Sequence, residues 1–357
     1  MKSNRYIRQT QLREFGPLAQ EKLQNASVLV VGLGGLGIPV LQYLNAMGIG
    51  RLGLVDNDII DETNLHRQVL YNEAEIGQSK IEVCLARLKE QNSQTIIDVH
   101  ETFLNRDNAL GIIGNYDLVV DASDNFPTRY LINDACIIQN KPFVYGALHG
   151  FEGQVSVFNY KGGPTYRCLF PVMPAASELP SCDENGVLGV LPGIIGNLQA
   201  LEVVKMIAGI GEVLSGRLLV YNGLNTTMHN IRFSKNPKHS NICILQESYQ
   251  VPCSSDLEID ALKLQDLLQT DQPHLLIDVR EPGEFMEDRL ESAVNIPIGE
   301  LEDRQIVFDN TDKVFLICQS GIRSMQGKYI LQKRFPDVKF INVHGGLNRI
   351  RASEPLV

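Results

Sequence analysis

Two clusters of residues have types and spacing that suit chemistry, one in each half of the chain. In the first half, the segment VVGLGGLG places four glycines after a β-branched run, and an aspartate follows about twenty residues later. In the second half, the segment CQSGIRS places a cysteine and an arginine in a short polar loop. The first pattern is typical of a turn that binds nucleotide phosphates, and the second of a loop that stabilises a thiolate.

The glycine turn lies directly after the predicted strand Ser27–Val31 and before a predicted helix. Its glycines are Gly32, Gly34, Gly35 and Gly37. Glycines let the backbone approach a phosphate, and a helix N-terminus supplies unpaired N–H groups. Asp56 ends the next predicted strand, where an acid would bind ribose hydroxyls. A turn without a ligand is the alternative, but the four features together favour a nucleotide, either NAD or ATP.

The residues after Asp56 favour ATP. The segment DNDIIDETNLHRQ contributes a further set of polar candidates, which are Asp58, Asn64, Arg67 and Gln68. Arg67 and Lys80 are suited to stabilising negative charge at a phosphate, and Asp124 is suited to holding Mg²⁺. Taken singly, Lys80 would be a surface lysine and Arg67 an ion-pair partner. Their occurrence together with Asp124 favours phosphate chemistry over hydride transfer.

The polar loop of the second half follows the predicted buried strand Lys313–Cys318 and precedes a helix predicted from Ser324. It comprises Cys318, Gln319, Ser320, Gly321, Ile322 and Arg323. The helix dipole and backbone N–H groups stabilise a thiolate at such a position, and Arg323 adds positive charge. The loop therefore suits an anionic nucleophile or a persulfide. A buried structural cysteine fits less well, because the loop is polar and tight.

Composition limits the class of protein that carries these clusters. The 357 residues have a formal charge of −10 and a sequence pI near 5.3, so the basic footprint of a nucleic-acid binder is missing. With 44% hydrophobic residues the chain is predicted to be globular. We predict no secretory signal and no membrane span, since the longest apolar stretch is interrupted by glycines and a proline. Seven scattered cysteines indicate reduced thiols and a cytoplasmic protein.

Alternating strands and helices are expected to position the first cluster. Predicted strands at Leu52–Asp56, Asp117–Ala122 and Phe143–Gly146, with a helix within Gln78–Gln91, indicate a parallel sheet with covering helices. Later segments alternate polar and apolar residues, as strands with one solvated face do. These later strands are Gly153–Tyr160, Arg217–Asn222 and Thr226–Phe233, and Ile194–Ala208 is predicted to be a core helix ending at Gly209.

The first half resembles a known family. The motifs GLGGLG, NLHRQ, GQSK and DASDN, with RYIRQ near the start, closely resemble those of the ubiquitin-like-protein-activating enzymes, above all the molybdopterin-synthase and thiamine-biosynthesis adenylyltransferases. The resemblance spans roughly 5–233. It implies a homodimer that binds ATP and Mg²⁺ and adenylates the C-terminal glycine of a ubiquitin-like sulfur carrier ending in Gly-Gly.

The resemblance also assigns residues. Arg8 takes the place of an arginine that reaches in from the partner subunit, and such an arginine acts only in the assembled dimer. Cys182 takes the place of a cysteine that some relatives link to the carrier, although an incidental loop cysteine is an equal alternative. The family's nucleotide-binding places fall on Gly35, Asp56, Thr63, Asn64, Leu65, His66, Arg67, Lys80, Asp124 and Asn125.

A structural zinc found in many relatives is expected to be lost. The first Cys-x-x-Cys pair reads Cys168-Leu-Phe-Pro171, and the second pair is replaced by His239 and a displaced Cys243. These three residues could form a residual site, but structural zinc takes four ligands. Cys84 and Cys136 lie on predicted helical apolar faces and are expected in the core.

The segment 257–350 resembles a single-domain rhodanese through LLIDVREPGEF, AVNIPI and VHGGLNRI. The resemblance implies that Cys318 carries sulfur as a persulfide, supplied by a donor such as a cysteine desulfurase or thiosulfate. The spacing between Cys318 and Arg323 is that of the sulfur-transferring proteins, since the related phosphatases have a loop one residue longer. Asp278 and Arg280 fit the motif at a strand end, where a structural role is expected.

We therefore predict an α/β protein with a Rossmann-like, ATP-binding domain of mixed sheet, followed by a smaller α/β rhodanese-like domain. The predicted boundaries are 1–245 for the adenylyltransferase domain, 246–256 for a linker and 257–357 for the sulfurtransferase domain. The predicted reaction is adenylation of a sulfur carrier, most simply the molybdopterin-synthase small subunit. A Cys318 persulfide then attacks the adenylate, and Cys182 is a candidate for releasing the carrier thiocarboxylate.

Three alternatives remain at this stage. The carrier could belong to thiamine synthesis, to tRNA thiolation or to cysteine synthesis, because the sequence does not define a docking surface. The first domain could be an NAD-dependent oxidoreductase with an unrelated domain appended. The chain could also be a plain thiosulfate sulfurtransferase whose first domain is a scaffold.

Overall fold

A computed structural model of the chain describes residues 4–174, 186–249, 258–268, 275–301, 304–306, 308, 313–335 and 338–352. The described residues divide into two compact units, 4–173 with 186–249 and 258–352. Each unit consists of one sheet between helices, with a hydrophobic core on each face of the sheet.

The described part of the first unit forms a sheet of eight strands. They are β1 (Ser27–Val31), β2 (Arg51–Asp56), β3 (Ile96–Glu101), β4 (Leu118–Asp121), β5 (Phe143–His149), β6 (Glu152–Phe158), β7 (Arg217–Asn222) and β8 (Thr227–Arg232). Their order is β3-β2-β1-β4-β5-β6-β7-β8. Strands β1 to β5 pair in parallel, and β5 to β8 pair antiparallel, which confirms the predicted mixed sheet.

Helices cover both faces of this sheet. They are α1 (Ile7–Thr10), α2 (Gly16–Asn25), α3 (Gly37–Met47), α4 (Lys80–Gln91), α5 (Ala109–Gly114), α6 (Phe126–Ile138), α7 (Tyr166–Leu169) and α8 (Val190–Ala208). Among the described residues, α8 is the one helix long and apolar enough to cross a membrane, and 56% of its apolar window is buried. It packs against α3 and strands β5 and β6, so its apolar residues belong to the core of the first unit.

Two expectations for the first unit were wrong in detail. Strand β6 does not have a solvated face, because it lies inside the sheet between β5 and β7 and is covered on both sides. Val155 and Val157 belong to one core, and Phe158 belongs to the other.

Helix α8 starts at Val190, four residues before the predicted start. It ends at Ala208, as predicted, and Gly209 directly after it has a left-handed backbone.

The second unit has a smaller, fully parallel sheet in its described part. Its elements are β9 (Glu258–Asp260), α9 (Ala261–Leu268), β10 (Leu275–Asp278), α10 (Pro282–Glu287), β11 (Ala293–Asn295), β12 (Val314–Ile317), α11 (Ile322–Arg334), β13 (Phe340–His344) and α12 (Gly346–Ala352). The strand order is β11-β10-β12-β13-β9. Helix α11 starts at Ile322 and not at Ser324, because Gly321 turns the chain with a φ of 94°.

The packing of the first unit extends into the predicted linker. Tyr249 is buried in the core formed with α6, and its hydroxyl donates a hydrogen bond to Asp134 over 2.8 Å. The predicted linker residues 250–256 lie outside the described residues, as does Cys253.

Candidate functional site

The predicted nucleotide residues lie at the carboxyl ends of three neighbouring strands. Strand β1 leads into Gly32, β2 ends at Asp56 and β4 ends at Asp121, and β1 lies between the other two. The carboxyl edge of a parallel sheet is where α/β proteins bind ligands. The fold therefore brings the glycine turn and the two acidic strand ends, Asp56 and Asp121, to the same edge of the sheet.

The glycine turn combines close packing with open space. A Cβ atom on Gly32 would lie 2.7 Å from the carbonyl oxygen of Ala122, and a Cβ on Gly37 would lie 1.9 Å from the carbonyl oxygen of Gly32. These two glycines are therefore required by the turn itself. A Cβ on Gly34 would meet only the Gln68 side chain, at 3.6 Å. The backbone at Gly34 thus faces space that a phosphate group could occupy.

Asp56 orients this turn. Its Oδ2 accepts a hydrogen bond from the backbone N–H of Leu33 over 2.7 Å, and its Oδ1 accepts one from the N–H of Asp58 over 2.8 Å. Each carboxylate oxygen has a further lone pair, so ribose binding remains open to it. The structure adds a positioning role that the sequence did not reveal.

Lys80 is a buried cation and not a surface lysine. Its side chain is 7% exposed, and its ammonium group lies 2.8 Å from Oδ2 of Asp58, which is 52% exposed. A buried ammonium group is costly unless it is paired, so the ion pair holds Lys80 at one place. The pair lies beside the turn that Asp56 orients, because the N–H of Lys80 also bonds to the carbonyl of Asp58.

The segment Thr63–Gln68 forms a compact loop beside the glycine turn. Nη1 of Arg67 donates to the Thr63 carbonyl over 2.7 Å and lies against the His66 ring. Asp61 caps the turn, the Asn64 side chain accepts a hydrogen bond from the N–H of Asp61, and Leu65 packs against the core. The Oε1 atom of Gln68 is buried without a hydrogen-bond partner. This unsatisfied atom lies close to Gly34, where a ligand with donor groups would satisfy it.

Asp124 and Asn125 are exposed just beyond β4. Oδ1 of Asn125 accepts from the N–H of Thr128 and caps α6, while its amide group donates to Asp124 over 3.3 Å. The exposed carboxylate of Asp124 has the chemistry that Mg²⁺ prefers. Within the described ranges, no group of three or more His, Cys, Asp or Glu side chains could hold a metal ion. The fit to Mg²⁺ therefore depends on ATP phosphates supplying the other ligands.

Arg129 is a site residue that the sequence interpretation missed. It is buried, donates to the Ser123 carbonyl over 3.3 Å, and lies over the rings of Phe126 and Tyr145. It thereby supports the turn that carries Asp124. The sequence could have indicated this role, because Arg129 lies four residues after Asn125, the cap of α6, and this spacing directs its side chain back towards the turn.

Asp121 is buried beside this support. Burial raises the pKa of its carboxyl group, while Ser123 donates two hydrogen bonds to its Oδ1. Its Oδ2 atom is buried without a partner. Like Gln68, Asp121 thus presents an unsatisfied polar atom at this edge of the sheet.

Two predicted participants are not brought to this edge by the described structure. Arg8 lies exposed on α1. Cys182 lies outside the described residues. Cys84 and Cys136 are fully buried, which confirms that they belong to the core.

Cys168 belongs to no group of three or more candidate metal ligands among the residues that the structure describes. Its sulfur accepts hydrogen bonds from the N–H groups of Thr165 and Asn236 over 3.4 and 3.2 Å, and it also contacts the Ser240 hydroxyl. Partial burial raises the pKa of this thiol, but the hydrogen bond with the Thr165 hydroxyl over 3.2 Å, together with those above, outweighs burial, and the pKa lies below the ordinary value. Cys243 is exposed and forms no ligand group with Cys168. The loss of a zinc site at this position therefore stays a prediction.

The polar loop of the second unit, Cys318–Arg323, is called the sulfur loop from this point on, and it encloses a buried thiol. Cys318 directly follows β12 and is fully buried, and its sulfur accepts hydrogen bonds from the N–H of Gly321 over 3.1 Å and from the Ser324 hydroxyl over 3.4 Å. The loop closes at the N-terminus of α11, as predicted. A thiolate or persulfide here would receive hydrogen bonds already in place.

Charged side chains surround this loop in pairs. Asp278 and Arg280 form a fully buried ion pair at 2.7 Å, and Arg280 donates to the side chain of Gln319 over 3.0 Å. This geometry agrees with a structural role for the strand-end motif. Arg323 pairs with Glu284, and hydrogen bonds from Arg323 lower the pKa of the Glu284 carboxyl to about 2.

Comparison with known proteins assigns each unit to a family. The family model described as "ThiF family" matches residues 6–243, and the model described as "Rhodanese-like domain" matches residues 260–353. A Drosophila ananassae protein named "Adenylyltransferase and sulfurtransferase MOCS3" is 40% identical over 371 residues, which cover 96% of this chain and 82% of that protein. The Drosophila yakuba protein of the same name is 41% identical with the same coverage.

Solved structures agree for the first unit. The crystal structure of E. coli MccB with MccA-N7isoASN matches with a TM-score of 0.61 and 26% identity, over 68% of this chain and 75% of that one. The crystal structure of E. coli MccB with ATP matches with a TM-score of 0.59 and 25% identity, over 66% and 73% of the two chains.

Proposed function

The chain belongs to the ThiF family and carries a C-terminal rhodanese-like domain, and on this premise we propose that it adenylates a ubiquitin-like sulfur carrier and then transfers sulfur to it. The chain is an adenylyltransferase with a sulfurtransferase domain. One observation carries the proposal: a phosphate-binding turn with Lys80 and a thiol-enclosing loop around Cys318 occur in the same chain.

The first step joins two substrates. The carboxylate of the carrier's C-terminal glycine attacks the α-phosphorus of ATP, the bond to the β-phosphate oxygen breaks, and pyrophosphate leaves. The acyl-adenylate remains. Lys80 and Arg67 stabilise the negative charge on the phosphates, and Gly34 lets the backbone approach them. Alignment of the reactants contributes about 7–11 kcal/mol in well-oriented reactions, so no protein nucleophile is required here.

The second step uses the sulfur loop. The terminal sulfur of a Cys318 persulfide attacks the acyl carbon, the carbon–oxygen bond to AMP breaks, and an acyl disulfide forms. A thiolate, for which Cys182 is the candidate, then attacks the Cys318 sulfur and displaces the carrier thiocarboxylate. This leaves a protein disulfide that a thiol reductant must reopen before the next cycle. The N–H of Gly321 and the Ser324 hydroxyl stabilise the anionic sulfur on Cys318.

The finer assignments extend this proposal. We propose that Mg²⁺ is held by Asp124 together with the phosphates, where it would neutralise their charge. We also propose a cytoplasmic homodimer in which Arg8 reaches the partner's nucleotide. The exposure of Arg8 on α1 is consistent with contact in trans.

The proposed carrier is the small subunit of molybdopterin synthase, with the thiamine-pathway, tRNA-thiolation and cysteine-synthesis carriers as alternatives. The test adds each purified Gly-Gly carrier to the enzyme and measures ATP–pyrophosphate exchange. We expect one carrier to stimulate exchange strongly. Exchange that no carrier stimulates, or nicotinamide reduction in place of exchange, would contradict adenylation.

Sulfur transfer has a direct readout in the same mixture. With ATP, the correct carrier and a sulfur donor, the carrier should gain about 16 Da, because one oxygen is replaced by sulfur. Asp124→Ala should abolish this gain but leave thiosulfate:cyanide sulfurtransferase activity unchanged. If the Asp124→Ala enzyme still converted the carrier, the chain would be a sulfurtransferase with a scaffold domain.

A further inference from the structure

The rim of the sulfur loop carries an ion pair that the proposed mechanism does not use. Arg323, in the first turn of α11, directs both terminal nitrogens at Glu284 of α10. Nη1 lies 2.6 Å from Oε2, and Nη2 lies 2.7 Å from Oε1. The two side chains are 35% and 37% exposed, so the pair lies at the surface. This parallel, two-point geometry is the strongest that an arginine and a carboxylate adopt.

The pair matters to the sulfur because Arg323 lies next to Ser324, whose hydroxyl donates a hydrogen bond to the Cys318 sulfur over 3.4 Å. An unpaired guanidinium at this position would attract any anion that approaches the thiol. Glu284 neutralises that charge at contact distance. The acidic side chain of α10 therefore determines how much positive charge the loop offers to an incoming sulfur donor.

Three further arginines of the second unit have acidic partners. Arg280 contacts the buried Asp278 at 2.7 Å, and Arg349 contacts Asp260 at 3.0 Å. Arg351 contacts Asp288. With Arg323, four arginines in the described part of this unit thus each have an acidic partner.

We propose that Glu284 is a specificity-determining residue of the sulfur loop. By holding Arg323 in a two-point ion pair, it disfavours dianionic donors such as thiosulfate and favours donors whose transferable sulfur carries less negative charge, namely organic persulfides. This inference rests on the proposed sulfur transfer at Cys318.

The chemistry of the two donor classes differs mainly in charge. With thiosulfate, the Cys318 thiolate attacks the outer sulfur, the sulfur–sulfur bond breaks, and sulfite leaves with two negative charges. With a persulfide, the same attack on the terminal sulfur releases a thiolate with one charge. In both cases the new bond is between the Cys318 sulfur and the transferred sulfur, and no external oxidant or reductant is consumed.

The test uses two donors that differ by one charge. Thiosulfate and methanethiosulfonate both present a terminal sulfur on an oxidised sulfur atom, but the first is a dianion and the second a monoanion. Cyanide accepts the sulfur from the Cys318 persulfide, and thiocyanate formation gives kcat/KM for each donor. The selectivity is the ratio of the thiosulfate value to the methanethiosulfonate value.

Glu284→Gln should raise this ratio about tenfold, because it removes the neutralising charge and leaves Arg323 available to the dianion. The gain should appear mainly as a lower KM for thiosulfate and should shrink at high ionic strength, since it is electrostatic. Glu284→Asp keeps the negative charge and should therefore show a thiosulfate-to-methanethiosulfonate ratio close to that of the wild type. A purely structural role would change both donors equally and would not depend on salt.

The matched control is Glu300→Gln, because Glu300 pairs with Arg304 at 2.7 Å in the same unit and the substitution changes the charge equally. Its ratio should equal that of the wild type. An unchanged ratio in Glu284→Gln, with measurable turnover of both donors, would overturn the selectivity proposal alone. Absence of turnover with both donors in the wild-type enzyme would overturn the proposed sulfur transfer as well.

Discussion

The nucleotide site and the sulfur loop differ in how their polar groups are satisfied. At the predicted nucleotide site, Asp124 is exposed, and Oε1 of Gln68 and Oδ2 of Asp121 are buried without a hydrogen-bond partner. A bound ligand could contact these groups. At the sulfur loop, Cys318 is fully buried and already accepts hydrogen bonds, and Arg323 is paired. Both sites lie at the carboxyl ends of parallel strands, so the difference does not come from the architecture of the sheets.

The difference agrees with what each site is proposed to bind. A site for a large, charged substrate gains affinity by leaving polar groups to be satisfied on binding, and its cations are held in place until then. Lys80 is held in this way by Asp58. A site built around one sulfur atom must instead be organised before any substrate arrives, because its own side chain is the reacting group.

The largest effect expected is the loss of the reacting sulfur. Cys318→Ser should lower the rate of sulfur transfer to cyanide by about 10³-fold or more, since a serine hydroxyl is a much poorer nucleophile than a cysteine thiolate near neutral pH. Carrier-stimulated ATP–pyrophosphate exchange should be unchanged, which separates the two sites. Cys243→Ser, at an exposed cysteine, is the control and should affect neither activity. A surviving transferase activity would show that Cys318 is not the sulfur carrier.

The converse test removes the buried cation. Lys80→Met should lower ATP–pyrophosphate exchange by about 10²–10³-fold, because a phosphate loses a positioned charge. Sulfur transfer to cyanide should remain at the wild-type level. Lys89→Met alters an exposed lysine of the same helix and should leave both activities intact. Equal exchange rates in the two variants would contradict the role of Lys80.

The glycine turn allows packing and ligand binding to be separated. Gly37→Ala should cost about 3 kcal/mol of stability in the first unit, because its Cβ would lie 1.9 Å from the Gly32 carbonyl oxygen. Gly34→Ala should leave the melting temperature almost unchanged but raise the KM for ATP about tenfold. Calorimetry and exchange kinetics measure the two effects. A normal KM in Gly34→Ala would mean that phosphates do not approach that backbone.

Loss of the hydrogen-bonded sulfur of Cys168 should lower the stability of the first unit by less than Gly37→Ala does. Cys168→Ala removes an acceptor from the N–H groups of Thr165 and Asn236, so we expect a loss of about 1–2 kcal/mol in thermal or urea unfolding. Treatment with EDTA should leave the melting temperature unchanged, and tag-free protein should contain no stoichiometric zinc. A melting temperature that falls on chelation would contradict the predicted loss of the zinc site.

The smallest effect concerns the pH dependence of the Glu284–Arg323 pair. Arg323 lowers the pKa of Glu284 from 4.5 to about 2, so the pair stabilises the fold above pH 4.5 and this contribution is lost as the pH falls towards 2. Because both groups are partly exposed, we expect about 0.5 kcal/mol or less. Urea unfolding should show a constant difference between wild type and Glu284→Gln from pH 7 to 5, which shrinks below pH 4.5. A difference that grew on acidification would contradict the paired geometry.

Most strands and helices could be predicted because their periodicity is a local property. Strand β1, helix α3 with its cap at Gly48, and helix α4 follow from β-branched runs, glycines and apolar spacing. Strand β6 was misjudged because its burial depends on neighbours from distant parts of the sequence. The start of α8 was placed too late because Pro192 lies in its first turn, where proline is tolerated.

The sequence by itself determined the chemistry for which each half is suited, since the glycine turn, the segments with Lys80 and Asp124, and the Cys318 loop are local motifs whose residue types limit what they bind. Only the tertiary structure showed that Lys80 is buried against Asp58, that Arg129 supports the turn carrying Asp124, and that Glu284 neutralises Arg323. The physical reason is that motif identity resides in neighbouring residues, whereas burial and charge pairing arise between side chains that folding brings together.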